Sequence, residues 1–314
     1  METKRTKIKS QKGQDVPEMS EGEARNYLEK LRWPNGPVCI ECGSDQVYKL
    51  NGESTRDGLM KCRGCKAQFS VTVGTVMEDS HIPLAKWVKA FHLMAASKKG
   101  VSALQLMRNL GLGSYKSAWH LAHRIRYAMS DPNQPMLKGE IQVDETYVGG
   151  KPRPGSGEVR FRGRGTKKTP VVALVETDGR AHSRPVEYVT AKNLKSVMES
   201  VVDPSARIVT DEFVAYINPA KSFSGGHSTV NHSAGQYVNE DGAHTNSVES
   251  YFALLKRGVI GTFHHISKKH LHRYCSEFDF RWNGRKLSDS ERRTLALTQI
   301  EGKRLMYRQP IGEA

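Results

Sequence analysis

The 314-residue chain carries 48 Lys plus Arg against 33 Asp plus Glu, a formal charge of +15, and is long enough for two or three domains with a sizeable core. No apolar run approaches the roughly 18 residues of a spanning helix, and neither end reads as an amphipathic anchor, so no membrane role is expected. Nucleic acid is the polyanion that such a charge fits, since each neutralised phosphate releases condensed counterions.

Residues 1–20 begin polar and basic (Lys4, Arg5, Lys7, Lys9, Lys12) and read as a mobile arm. Ala24, Tyr27, Leu28 and Leu31 recur at helical spacing over 21–33, and Trp33-Pro34-Asn35-Gly36-Pro37 stops that helix. Two CxxC pairs follow, Cys39/Cys42 and Cys62/Cys65, with nineteen residues (Gly43 to Lys61) between them. Zinc takes four thiolates in a tetrahedron, and two CxxC turns on facing hairpins supply them, so residues 21–75 read as a zinc ribbon with a preceding short helix. Val47–Leu50 and Gln68–Val71 are its expected strands. Two disulfides are the alternative. Only one further cysteine, Cys275, and no signal peptide are present, which points to a reduced, cytoplasmic protein.

Residues 80–132 change character. Leu84, Trp87, Val88, Phe91 and Met94 form a helical stripe after Pro83. Ser102 caps a second helix carrying Ala103, Leu106, Met107 and Leu110. Gly111–Ser114 makes a tight turn, and a third helix runs through Ala118, Leu121, Ala122, Ile125 and Met129. Short helix, Gly-containing turn and longer basic helix match a helix-turn-helix, with His120, His123, Arg124 and Arg126 as expected DNA contacts. A plain three-helix unit with a solvated basic face is the alternative.

After the linker Asp131–Pro135, residues 138–285 read as α/β. Ile141–Asp144 is a strand that runs into the turn Tyr147–Gly150. Lys151 to Lys168 is a Gly/Pro/Arg loop with seven basic residues, Arg160, Arg162, Arg164, Lys167 and Lys168 among them, expected to be mobile until it meets a phosphate chain. Val171–Val175 and Arg184–Val189 form a hairpin around Asp178-Gly179. Residues 191–202 are helical, Arg207–Asp211 is a strand, and Ser222–Gly235 is a loop rich in Gly, Ser and His. Asn246–Arg257 and Ser267–Trp282 are helices. Residues 286–314 form a basic, weakly patterned tail.

Asp144 and Asp211 both end apolar strands, and a carboxylate there faces the crevice where ligands sit. Two such groups repel unless a divalent cation neutralises them, and hard oxygen ligands suit Mg²⁺ or Mn²⁺. A turn aspartate on each strand is the alternative. On the helix 246–257, Glu249 and Lys256 are seven apart and nearly superimposed, with Asn246 beside them. Glu249 can be a third metal ligand, and Lys256, two turns along, can reach a substrate phosphate. Asn246 followed by Glu249 is also an N-cap signature. Glu277 and Arg281, one turn apart, read as a surface ion pair. His264, His265, His270 and His272 lie among Lys268, Lys269 and Arg273 and read as a DNA-facing surface rather than a metal site.

The order of zinc ribbon, helix-turn-helix, Val-Asp-Glu-Thr-Tyr-Val-Gly-Gly-Lys (143–151), Thr-Asp-Glu-Phe (210–213), His-Thr-Asn-Ser-Val-Glu-Ser-Tyr-Phe-Ala-Leu-Leu-Lys-Arg (244–257) and Leu-His-Arg-Tyr with Glu-Phe-Asp-Phe-Arg-Trp-Asn (271–283) resembles the ISXO-like transposases of the insertion sequence 1595 family. The resemblance spans nearly all of residues 22–285. It implies an RNase H-like mixed sheet with flanking helices, DDE chemistry on DNA ends with two Mg²⁺ ions, and recognition of terminal inverted repeats and target DNA. Asp144 and Asp211 are then the first two acids. Some members carry Asn in place of the third, followed by Lys; here Glu249 is preferred, because a carboxylate holds a divalent metal better than an amide, and Asn246 is the runner-up or an orienting neighbour. His244 is expected to line the site. Lys256, Arg257 and the 151–168 loop would position the strand. Holding two ends together implies a homo-oligomer on DNA. The competing readings are a catalytically inactive DNA-binding regulator derived from a transposase, and an RNase H-fold nuclease without strand transfer.

Overall fold

The computed structural model describes residues 18–150 and 165–312. The first unit opens with α1 (Glu21–Arg32), whose N-terminus is closed by a capping box between Ser20 and Glu23. A three-stranded antiparallel sheet follows, β1 (Val47–Lys49), β2 (Met60–Cys62) and β3 (Gln68–Phe69), and the sequence reading lacked the middle strand. Next come α2 (Leu84–Ala96), α3 (Ala103–Leu110) and α4 (Tyr115–Met129). Ser102 caps α3 by accepting from Gln105 N, and Gly111 ends it in the left-handed conformation (φ 57°), where a side chain would be strained.

Ribbon and helices are packed against each other. Leu28, Trp33, Met60 and Phe69 share one continuous core with Trp87, Phe91, Leu106 and Ile125. The expected C-terminal tail belongs to that core as well. Asp289–Thr298 is a helix with its own Ser288/Glu291 capping box, and its Ala296 and Leu297 are buried there. The sequence signature Ser-Asp-Ser-Glu was present at 288–291 and signals this helix start.

The second unit is a five-stranded mixed sheet: β4 (Glu140–Val148), β5 (Thr169–Glu176), β6 (Ala181–Pro185), β7 (Arg207–Asp211) and β8 (His227–Val230), in the order β6-β5-β4-β7-β8. β4, β5 and β6 form an antiparallel meander, while β7 and β8 run parallel to β4 and to each other, the RNase H-like arrangement. β4 is longer than expected: residues 147–148 pair with β5 instead of turning. β6 starts at Ala181 rather than Arg184, and β8 lies inside what reads as a loop. α5 (Ala191–Val201) and the short α6 (Ile217–Ala220) cover the face of Ile141, Val143, Val172 and Leu174. α7 (Asn246–Gly258) and α8 (Leu271–Asn283) cover the face of Val171, Ala173 and Val175. The helix at 289–298 follows as α9. Among the described residues no helix is long and apolar enough to cross a membrane.

The two units meet along α4 and α8, and this corrects two expectations. Arg126 is 2 % exposed and its Nε donates to Glu277 Oε2 at 2.6 Å; Arg281 bonds the other oxygen of the same carboxylate. Glu277 and Arg281 are therefore a buried pair, not a surface one. His123, Arg124 and Arg126 are also buried, so they do not face DNA. His123 packs 4.2 Å from Trp119 and 4.8 Å from His270, Arg124 bonds Glu78 O across the Trp87 ring, and the half-buried His120 lies 3.1 Å from Leu305 O. A helical wheel marks only the apolar side of α4. α8 and the segment around Leu305 cover the basic side, and neither is local in sequence. The face of α4 left open is its first turn, Tyr115, Lys116 and Ser117.

Candidate active site and metal centre

The zinc centre follows from two turns. Cys39 N donates to Ser44 O and Gly43 N returns to Cys39 O; in the second knuckle Cys62 N donates to Ala67 O. These turns bring the four sulfurs within 4.8 Å of one another. Cys39 Sγ and Cys65 Sγ are 3.5 Å apart, Cys42 Sγ and Cys62 Sγ 3.7 Å. Four bonds of about 2.3 Å to one tetrahedral zinc require edges near 3.8 Å; a disulfide requires about 2.05 Å. The donor set fits zinc, and all five cysteines are free thiols, which removes the disulfide alternative. The backbone N–H of Cys65 does most to bring the Cys62 thiol down to about 6, against burial, with that of Gly64 assisting. Cys39 and Cys62 are buried in the shared core. Chelation, or Cys62→Ser, is therefore expected to loosen α1 and α2 along with the ribbon. Bound zinc should fall from one per chain to none, and Trp33, only 7 % exposed, should shift its fluorescence to the red.

The second candidate site lies on the α7 side of the large sheet. β4 and β7 pair from Glu140–Arg207 to Gln142–Val209 and then the ladder stops. Partners across a ladder share a face, so Gln142 and Val209 face the same side, and two residues on so do Asp144 and Asp211. Asp144 is thus at mid-strand rather than at a strand end, where β4 continues alone with β5. Burial, then the adjoining Glu145, then Asp211 push the Asp144 carboxyl up to about 7, opposed by the Glu145 N–H and by Lys256. Two like charges in a half-buried crevice are a fit for a hard divalent cation. Glu145 points elsewhere, accepting from Tyr216 Oη at 2.6 Å.

Gln142 fixes α7 above these acids. It is fully buried, and its Oε1 accepts from Ser247 N (2.8 Å) and Val248 N (3.1 Å), two otherwise orphaned donors of the first helical turn. Its Nε2 donates to Thr177 Oγ1 and to His244 Nδ1, so His244 serves this cap. Thr245 is the N-cap residue but makes no capping bond of its own; Asn246 is the first helical residue rather than the cap. Asn246, Glu249, Lys256 and Arg257 are all exposed on α7.

Glu249 is held by a relay. Thr245 Oγ1 donates to Glu249 Oε1 (3.0 Å), and its one hydroxyl proton is thereby used. His232 Nε2, 2.9 Å from the same hydroxyl, must therefore donate, and it lies 3.7 Å from Glu249 Oε1. Glu212, next to Asp211, in turn accepts from His232 N, Ser233 N and Ser233 Oγ; the hydroxyl contributes most to bringing the Glu212 carboxyl down to about 2. The neighbour of Asp211 thus anchors the turn that orients Glu249. In this arrangement Glu249 stays outside a tight cluster: among the described residues, the cysteines form the one group of three or more His, Cys, Asp or Glu whose ligand atoms all lie within 4.8 Å.

Of the expected strand-positioning residues, Lys167 is exposed and Lys168 half-buried at the start of β5; Arg160, Arg162 and Arg164 lie outside the described residues. Sequence reasoning missed Gln142, Glu212, His232 and Thr245. Gln142 had a signal, a polar residue inside an apolar strand; the relay had none, because its members meet only through the fold.

The ISXO2-like transposase domain model matches residues 136–283, which carry the sheet, both aspartates, α7 and α8. The transposase zinc-ribbon domain model matches residues 19–68. A Halobacterium salinarum protein described as an uncharacterized protein in transposable element ISH50 is 30 % identical over 274 residues, covering 84 % of this chain and 91 % of that one. A matched transposase-domain model, a matched transposase zinc-ribbon model and similarity across most of both chains place the protein in one family: the chain belongs to the ISXO2-like transposases.

Proposed function

We propose that the chain cleaves DNA strands at the terminal inverted repeats of its element and transfers them to target DNA, in a metal-dependent reaction of the DDE kind. The observation that carries this reading is the placement of Asp144 and Asp211 on one face of adjacent strands, beside a helix bearing Asn246, Glu249 and Lys256. Two Mg²⁺ or Mn²⁺ ions held by Asp144, Asp211 and Glu249 would supply an activated nucleophile and stabilise the leaving oxygen. Glu249, whose Oε1 accepts from Thr245 Oγ1, would be the third residue to hold a cation, and Asn246 is the alternative donor on the same turn. Lys256 binds the phosphate next to the acids, and Arg257, Lys167, Lys168 and the arginines of 160–164 hold the strand.

The open first turn of α4 is the part of the helix-turn-helix available to a groove. Tyr115, Lys116 and Ser117 take the base-reading role there, consistent with N-terminal residues of a recognition helix contacting base edges. Joining two ends to one target calls for a multimer on DNA. The direct test is incubation of a terminal-repeat duplex with the purified protein. Nicking at the repeat boundary that needs Mg²⁺ or Mn²⁺ is expected; no cleavage with either ion overturns the proposal. Orientation of Glu249 makes a second expectation. His232→Ala or Glu212→Gln should weaken activity about 10- to 100-fold, recoverable in part at high Mg²⁺. An unchanged Mg²⁺ titration of nicking would rule the relay out.

A further inference from the structure

We infer that Tyr237 is a stacking platform for a DNA base beside the scissile phosphodiester, an inference that rests on the strand-cleavage reading above. Tyr237 is 72 % exposed, a large aromatic surface left to solvent. Its segment is nonetheless tied at both ends. Before it, Gln236 N donates to Asn231 O, and Gln236 Oε1 accepts from Asn231 N, both at 3.1 Å around the left-handed Gly235. After it, Val238 bridges His244, and the Asn239 side chain accepts from Asp241 N and Ala243 N. The ring is thus presented by a bracket that leads directly into Thr245 and α7.

The position of the ring suits a nucleotide next to the reacting one. Tyr237 meets His232 edge-on, at 6.4 Å between ring centroids and 67° between planes, and His232 is itself 3.7 Å from Glu249. One imidazole ring thus separates the Tyr237 ring from the carboxylate at the proposed cation site. Val214 and Ile260 are equally exposed but offer no ring face. Bases stack on exposed aromatic rings whatever their sequence, while positive groups hold the backbone, and Lys256 with the overall charge of +15 supplies the latter. A base unstacked from the duplex and laid on Tyr237 leaves its phosphate accessible to the acids.

The test is a cycle of protein and substrate. Terminal-repeat duplexes are made intact and with an abasic nucleotide at each of the two positions flanking the scissile bond. Tyr237→Ala is expected to lower nicking of the intact duplex about tenfold or more, and Tyr237→Phe to keep it, since stacking needs the ring and not the hydroxyl. One abasic position should slow the wild-type protein by a similar factor and leave Tyr237→Ala no slower than before, because each change removes the same contact. Equal nicking by wild type and Tyr237→Ala, or independent losses from the two changes, overturns the inference while leaving strand cleavage standing. So does a Tyr237→Ala variant with altered oligomeric state in sedimentation but an unchanged intact-to-abasic ratio, which assigns the ring to a second copy of the chain. A wild-type protein that nicks no substrate removes the strand-cleavage reading and this inference with it.

Discussion

Asp144→Asn is expected to reduce Mg²⁺-dependent nicking by about a thousandfold or more, since it would remove a ligand from the proposed cation site, whose metals would carry most of the charge stabilisation. The same variant should be more stable than wild type without metal. The carboxyl of Asp144 is raised from 3.8 to about 7 in the folded chain, by burial and by the charges of Glu145 and Asp211. Between those values the folded protein holds a proton that the unfolded chain has released, so stability falls as pH rises through that window, and the full penalty is present above about 7. Asn carries no charge to repel. Its melting temperature should match wild type near pH 4 and exceed it by a few degrees at pH 8, both in chelator. Added Mg²⁺ should raise the wild-type value and leave the variant unmoved. Asp211→Asn should lose activity to the same extent. Wild-type nicking by either variant removes the proposed roles of both acids.

What the sequence made legible and what it hid divide along one line. Features carried by neighbours in the chain were readable: the CxxC knuckles, the Ser102 cap, the β7 span Arg207–Asp211, and the phase of Glu249 with Lys256 on α7. Features that depend on a partner from a distant element were not. α7 reads as capped by its own Asn246, yet the first-turn donors go to Gln142, about a hundred residues earlier. Arg124 and Arg126 read as exposed because long cationic side chains usually are. Here each finds an acceptor from another element, Glu78 O and Glu277, and the aliphatic stems fill the interface. The zinc ribbon and the helices read as separate units, and residues 286–314 as a weakly patterned tail, for the same reason: a local pattern says at most that a face is covered, not by what. In the sheet unit, the two aspartates stood out because a carboxylate in or at the end of an apolar strand breaks the pattern. The Glu212–His232–Thr245 relay was not found, because polar residues in a Gly- and Ser-rich segment break none.

Glu277→Ala is expected to destabilise the protein by about 3–5 kcal/mol, the range for stripping one partner from a buried ion pair. Glu277 is fully buried and lies between two guanidinium groups, Arg126 from α4 and Arg281 from its own helix. Against burial, those two charges hold its carboxyl below the usual range. Arg281 also donates to Ser97 O and Met94 O at the end of α2, and Arg126 stacks 4.0 Å from the centre of the Tyr274 ring. Removing the carboxylate leaves two cations confined in that interface with only carbonyls and ring faces as partners. Because α4 belongs to the first unit and α8 to the sheet unit, the cost should appear as loss of docking. In urea the variant should show two transitions where the wild type shows one. Replacing Arg126, Glu277 and Arg281 together by Met, Leu and Met should recover most of the loss, since an apolar set of similar volume needs no compensation. The variant also separates structure from chemistry. Nicking per folded molecule, measured at low temperature, should stay near wild type; a thousandfold loss in a fully folded Glu277→Ala protein would place the residue in the reaction instead.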